Sequence, residues 1–496
     1  MTMLNKSVIV LALAAAFSAP VASAADNKEL AEIRAQIQQM KAAYESRLQA
    51  LEQRLADAQA ATSAAQEQAK AASAAAAQAS ATAQASAAAQ AAAPAAAPAV
   101  ADAGSAPAAG ASARSNIFNP DISLILGGTL SNLKQDPEQY RLQGFVPPGG
   151  EVGPGARGFN LGESEITMRA NIDPKFSGQL TFALTPENEA SVEEAFIQTR
   201  DLGNGLNLKA GRFLSSVGYL NGQHSHTWDF VDAPLAYQAF LGGQYKSDGV
   251  QAKWLAPLDQ FLELGVEAGN GSNFPGTSRN KNGANSLAAY AHFGDDIGES
   301  SSYRIGASLL RTHSAERTFE DGGISNGFSG KTNTFIADAI YKWAPNGNST
   351  VTNFKLQGEY FRSKDSGTLD YDLNGAATDP LTGPAASAYT GKQSGWYVQG
   401  VYQFMPNWRT GLRYDSLRTG ARRIGLVEDG TLSFAQFPIL EAYEPKKTSF
   451  MIDYSPSEFS RLRLQFAQDK SRPGVKDNQI FLQYIMSLGT HAAHAF

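Results

Sequence analysis

What most limits the fold of this chain is a period of two, repeated through its last three quarters. In Arg461–Phe466 the leucines and Phe466 fall on one parity, and Arg461, Arg463 and Gln465 on the other. A strand puts successive side chains on opposite faces, so this segment has one apolar and one charged face. Closed into a barrel in lipid, such strands turn the apolar face to hydrocarbon and the charged face to a watery interior. The same parity runs through Ile166 to Ile172, Phe176 to Leu184, Tyr303 to Leu309, Phe335 to Trp343, Trp396 to Phe404, Phe450 to Tyr454 and Ile480 to Leu488. The chain ends on Phe496, an aromatic that follows the last strand segment.

Punctuation sets the strand number. Short, turn-rich breaks fall at 173–174, 202–205, 257–259, 294–302, 345–347, 406–407 and 456–457. Longer polar, Gly-rich segments lie between them at 132–159, 186–190, 214–247, 270–284, 314–330, 364–391, 419–445 and 470–477. Seven turns alternating with eight loops predict about sixteen antiparallel strands over 116–496, with both termini on the short-turn side. Each strand with its connection then has roughly 24 residues, enough for a span of about 9–11. Trp254, Tyr341, Trp343, Phe404, Trp408 and Tyr454 stand beside short turns, where aromatic side chains mark a membrane–water boundary. A soluble β-sandwich shares the alternation but needs neither so many repeats nor an export signal.

The first 115 residues read differently. Lys6, the apolar run Val8–Phe17 and Ala22-Ser23-Ala24 predict a secretory signal peptide over 1–24. Within 25–57, Leu30, Ile33, Ile37, Met40 and Tyr44, then Leu48, Leu51 and Leu55, form heptad steps with one stutter, which predicts an α-helical coiled coil. Residues 58–115 are Ala-rich, then Ala/Pro-rich: a stalk and linker. Helix from 27 to 93 would reach about 100 Å.

Composition narrows the chemistry. A net charge of −6 argues against a nucleic-acid partner, and the absence of cysteine excludes disulfides, thiol catalysis and Cys-based zinc sites. The chain has no nucleophile–base constellation, phosphate-cradling glycine loop or His-Glu-x-x-His, so neither an enzyme nor a cofactor is expected. The inward parity supplies candidate pore-lining residues: Arg169, Lys209, Lys253, Glu263, Arg304, Arg409, Arg413, Arg461 and Arg463. The last four make the best basic wall for attracting an anion. Loop 214–247 is unusually apolar and aromatic for an exposed loop, which predicts that it enters the barrel and narrows it. Its candidate constriction residues are His224, His226, Trp228, Asp229, Asp232 and Tyr237. His224 and His226 have metal-ligand spacing, but no neighbouring carboxylate motif accompanies them, so a hydrogen-bonded pair is the expectation.

With the strand count, the third loop and Phe496 in place, the chain over 116–496 resembles bacterial outer-membrane porins, above all the phosphate-selective porin O and P group. The resemblance implies a homotrimer of water-filled pores in outer-membrane lipid, each narrowed by an infolded third loop. The inward charges here are of both signs, so phosphate selectivity is not carried over. The expectation is a passive pore for small hydrophilic solutes or ions, with its stalk in the periplasm. The alternatives are a tether from outer membrane to peptidoglycan through the coiled coil, and a metal-responsive uptake pore using His224 and His226.

Overall fold

The computed structural model describes residues 120–489 apart from 149–151, 163, 186–188 and 201. The predicted signal peptide, coiled coil, stalk and linker, and Phe496, lie outside the described residues. Among those described, no helix is long and apolar enough to cross a membrane, so any crossing is by strands.

Seventeen strand segments follow one another around a single sheet. They are β1 (Asp121–Leu133), β2 (Gly158–Leu161), β3 (Ser164–Asn171), β4 (Phe176–Leu184), β5 (Ala190–Thr199) and β6 (Leu206–Leu214). Next come β7 (Lys246–Leu255), β8 (Phe261–Gly269), β9 (Ser286–Ile297), β10 (Ser301–Asp321), β11 (Ile324–Trp343) and β12 (Asn353–Tyr371). The last are β13 (Ala385–Met405), β14 (Trp408–Ile424), β15 (Lys446–Ser457), β16 (Ser460–Lys470) and β17 (Asp477–Gly489). β2 and β3 both pair with β1, one beyond the other, so they are two pieces of a single stave. The seam between them is at Gly162, where an added Cβ would come within 3.1 Å of the Gly127 carbonyl carbon. β17 pairs with β1 from Ser123↔Gly489 to Leu133↔Gln479, which closes a sixteen-stranded antiparallel barrel and leaves no edge.

The barrel is apolar outside and polar within. On β14, Leu412 is 56% exposed, whereas its neighbour Arg413 is 1% exposed. Leu309, Val250, Val266, Leu482 and Leu488 are likewise exposed on the outer parity. So continuous an apolar surface needs hydrocarbon, not water, against it. Trp254, Phe404 and Trp408 mark the short-turn end of this belt, and the Trp408 and Tyr454 rings lie 4.7 Å apart. Leu412→Arg is therefore expected to cost the barrel about 2–4 kcal/mol in lipid. Urea unfolding in vesicles checks this; an unchanged midpoint would mean Leu412 does not face hydrocarbon.

Two predicted loops prove to be largely strand. The segments 314–330 and 364–391 extend β10, β11, β12 and β13 well beyond the length needed to span a bilayer. Their backbone groups are satisfied by hairpin pairing above the membrane, where polar side chains are tolerated on both faces. At the β10–β11 tip Asp321 pairs with Ile324 around Gly322 and Gly323, both with positive φ, the conformation a two-residue hairpin turn requires. The predicted loop 419–445 shortens to 425–445 for the same reason.

The hydrophobic core lies in the bore. One cluster joins the loop between β6 and β7 to Leu142 and Phe145 of the first loop and to Ile336, Phe361, Tyr397 and Leu417 of the wall. A second, on the long-loop side, packs Phe319, Phe328, Leu369 and Tyr389 of the long hairpins against Leu426, Leu432, Phe437, Ile439 and Leu440.

Candidate functional site

Leu214 pairs with Lys246 at the foot of the loop between β6 and β7, and the loop (215–245) then runs inside the barrel. Asn221 clasps its base, donating to the Ser215 and Tyr245 carbonyls at 2.7 and 2.8 Å and accepting from Tyr245 N at 2.7 Å. The wall supplies the remaining partners for a backbone that has no sheet of its own. Glu267 accepts from Ser215 Oγ and Ser216 N at 2.5 and 2.9 Å. Glu359 accepts from Tyr219 N and Leu220 N, and from the hydroxyls of Tyr237 and Tyr397. The short helix Leu235–Leu241 is buried along its whole length and ends on Gly242 in the left-handed conformation. Asp415 of β14 accepts from Leu235 N at 2.9 Å, so a wall carboxylate caps the helix's first turn. Tyr237 and Phe240 pack on Phe361 at 5.1 and 5.8 Å between ring centroids.

On the far side the loop meets the predicted basic wall. Asp229 lies 2.5 Å from Lys355 Nζ and 3.2 Å from Arg409, and Arg409 also forks onto Asp453. Asp232 lies 3.0 Å from Arg413 and 2.7 Å from Lys447 Nζ. Arg463 donates to the Trp228 carbonyl at 2.6 Å and Arg461 to that of His226. Arg413 and Arg463 are buried, and all four arginines grip the loop. Burial alone would raise the Asp229 and Asp232 carboxyls; Lys355 and Arg409 on the first, and Arg413 and Lys447 on the second, hold both below the usual carboxylate range.

The remaining predicted pore residues lie toward the short turns. Arg169 is exposed, and Lys209 sits over the Phe196 ring at 4.3 Å. Lys253 pairs with Glu263 at 3.0 Å. Arg304 pairs with Asp338 at 2.9 Å, and its guanidinium lies 4.7 Å from the Tyr219 ring centre. Together with Lys342, Lys355, Arg409 and Arg461, these residues form a collar: each is on the inward parity, within a few positions of a short turn. The inward acids at that level are Asp121, Glu194, Glu263, Asp296, Asp338 and Asp453, with Asp229 from the loop, so eight cations face seven carboxylates. A cavity of about 160 Å³ lies in the collar, lined by Tyr219, Ser302, Tyr303, Arg304, Ile340 and Lys342.

His224 and His226 are brought to acidic partners that sequence spacing does not suggest. Glu165 of β3 and Glu193 and Glu194 of β5 converge on them, each glutamate buried. A bulge makes this possible: Thr181 pairs with Glu194 and Phe182 with Val192, leaving Glu193 over. An extra residue re-aims a strand's side chains, and both consecutive glutamates reach His224. Burial alone would lower the His224 pKa, but its hydrogen bonds to the three carboxylates carry it well above the ordinary imidazole value. The Glu193-Glu194 doublet inside an alternating strand is the signal that could have announced the bulge.

No family model matches the chain. An uncharacterized protein of Aquifex aeolicus (strain VF5) is 31% identical over 409 residues, spanning 76% of this chain and 80% of the relative. The chain belongs to that protein's family. Among solved structures it is similar to a loop-deletion mutant of OmpT, an outer membrane protein of Vibrio cholerae, at a TM-score of 0.47 and 11% identity over 75% of this chain and 99% of that one. It is similar to the outer membrane channel DcaP of Acinetobacter baumannii at 0.45 and 13%, over 75% and 97%. An anion-selective porin from Comamonas acidovorans gives 0.44 and 12%, over 75% and 99%. Overlaps this loose do not carry a function across.

Proposed function

We propose that this protein is an outer-membrane pore of the porin kind, passing small hydrophilic solutes by diffusion and favouring anions. The observation that carries this reading is the pairing of a closed barrel with a loop fastened across its bore. A barrel serving only as an anchor has no use for a loop held by wall residues on nearly every side. The basic collar gives the charge preference: fixed cations in a low-dielectric mouth raise the local concentration of anions and oppose cations. The wall arginines Arg409, Arg413, Arg461 and Arg463 position the loop, and the collar charges Arg169, Lys209, Lys253, Arg304 and Lys342 set the field.

Planar-bilayer recording in a potassium chloride gradient tests both parts. The expected result is stepwise conductance with a reversal potential on the chloride side, moving toward zero in Arg169→Ala/Lys253→Ala. A protein that inserts without conducting refutes the pore; a conducting protein that prefers potassium refutes the collar.

A further inference from the structure

The cluster where the loop tip meets β3 and β5 has the composition and spacing of a metal centre. His224 Nδ1 lies 3.1 Å from Glu165 Oε2 and 3.0 Å from Glu193 Oε2. His226 Nδ1 lies 2.9 Å from Glu165 Oε1. Donor atoms of Glu165, His224 and His226 lie within 4.8 Å of one another. Two ligands on one ion, with bonds of about 2.0–2.1 Å, stand about 3–3.4 Å apart, close to the separations of His224 Nδ1 from Glu165 and Glu193 and of His226 Nδ1 from Glu165.

Glu194 has a different task. It accepts from Leu214 N and Gln179 Nε2, each at 3.1 Å, and faces His224 Nε2 at 3.1 Å. An Nε2–H donated to Glu194 leaves the neutral ring with a bare Nδ1, a lone pair aimed at two carboxylate oxygens that are also acceptors. Only a cation between them resolves that arrangement: a second proton on the imidazole, or a metal ion. A carboxylate holding the far nitrogen of a ligating histidine is the usual second contact of such a centre. Charge points the same way. Glu165, Glu193 and Glu194 are 1%, 3% and 6% exposed, and buried carboxylates need compensation. Nearby side-chain cations offset this charge only in part: Arg461 donates to the His226 carbonyl, and Lys209, over the Phe196 ring, acts on Glu194.

We propose that His224, His226, Glu165 and Glu193 bind one divalent transition-metal ion of the zinc class, with Glu194 as the positioning residue, and that the ion clips the loop tip to the wall. Two imidazoles and two carboxylates suit such an ion better than calcium or magnesium, which take oxygen ligands.

The test is zinc binding to the purified full chain in detergent, by equilibrium dialysis with metal analysis, and cobalt(II) substitution read by its d–d absorption. Neither readout depends on whether the barrel conducts, so a failed pore reading and a failed metal site are separable. The expected result is one zinc per chain and a tetrahedral cobalt spectrum. His226→Gln and Glu193→Gln should each weaken binding at least tenfold, and Glu194→Gln by about 10–100-fold. His491→Asn/His494→Asn should bind as the parent does. Circular dichroism confirms that each variant is folded; if His226→Gln is not, Glu193→Gln decides. Absence of stoichiometric binding, undiminished affinity in Glu193→Gln, or loss of binding in the His491/His494 variant each overturns the proposal and leaves the cluster a proton-held ion-pair network.

Discussion

Asp232→Ala is expected to loosen the loop inside the barrel, lowering stability by about 3 kcal/mol and raising single-channel conductance. Asp232 serves two buried cations at once, Arg413 at 3.0 Å and Lys447 at 2.7 Å. Removing one member of a buried ion pair costs about 3–5 kcal/mol, because the partner's charge is left uncompensated. Here Arg413 keeps Asp415 at 3.0 Å and Lys447 keeps Asp469 at 3.6 Å, which places the loss at the lower end. Glu428→Ala is the control: its pair with Arg423 is exposed, and no measurable change in stability is expected. Urea unfolding in vesicles reads the stability, and an unchanged midpoint would show that the loop is not held by Asp232.

The same contacts fix how the latch responds to acid. The Asp232 carboxyl is held below its ordinary value of 3.8. A depressed carboxylate contributes stability that is complete above the unfolded-state pKa and is lost as pH falls through the folded one. The loop should therefore stay engaged down to about pH 4 and release only below it.

Gly218→Ala is expected to be the most damaging single-methyl change in the loop. Gly218 has φ +70°, and a Cβ there would lie 2.4 Å from Glu359 Oε2 and 2.8 Å from the Tyr237 hydroxyl. Neither atom can retreat cheaply, since Glu359 fastens Tyr219 N, Leu220 N and Tyr237 together. Left-handed backbone at a non-glycine residue costs about 1 kcal/mol and overpacking about 1–3 more, so a loss of about 2–4 kcal/mol is expected. Gly155→Ala separates the two contributions. Its φ is +74° but nothing lies within 4 Å of the added carbon, so only the backbone cost of about 1 kcal/mol applies. Equal losses at the two positions would show that Gly218 is not pressed against Glu359.

The barrel was legible because lipid and water select opposite parities of one strand. Leu412 beside Arg413, and Leu462 beside Arg463, carry that information locally. The third loop was legible through composition: Trp228, Phe230, Leu235, Tyr237 and Phe240 have nowhere but the bore to be buried. Three things were not legible. Above the membrane the hairpins 314–330 and 364–391 lose the lipid constraint, so their alternation fades although the pairing continues. The basic wall reads as free charge until the fold shows Asp229 and Asp232 against it. The acidic partners of His224 and His226 are 30 to 61 residues away, gathered by strand register and one bulge.

The most direct test of a loop-narrowed bore is single-channel conductance after replacing residues 219–243 with a short Gly-Ser hairpin. The barrel wall is continuous without the loop, so the variant is expected to insert and conduct severalfold more than the parent, with weaker ion preference. A variant that inserts and conducts as the parent does would contradict the account, since the loop would then have no part in setting the width of the path.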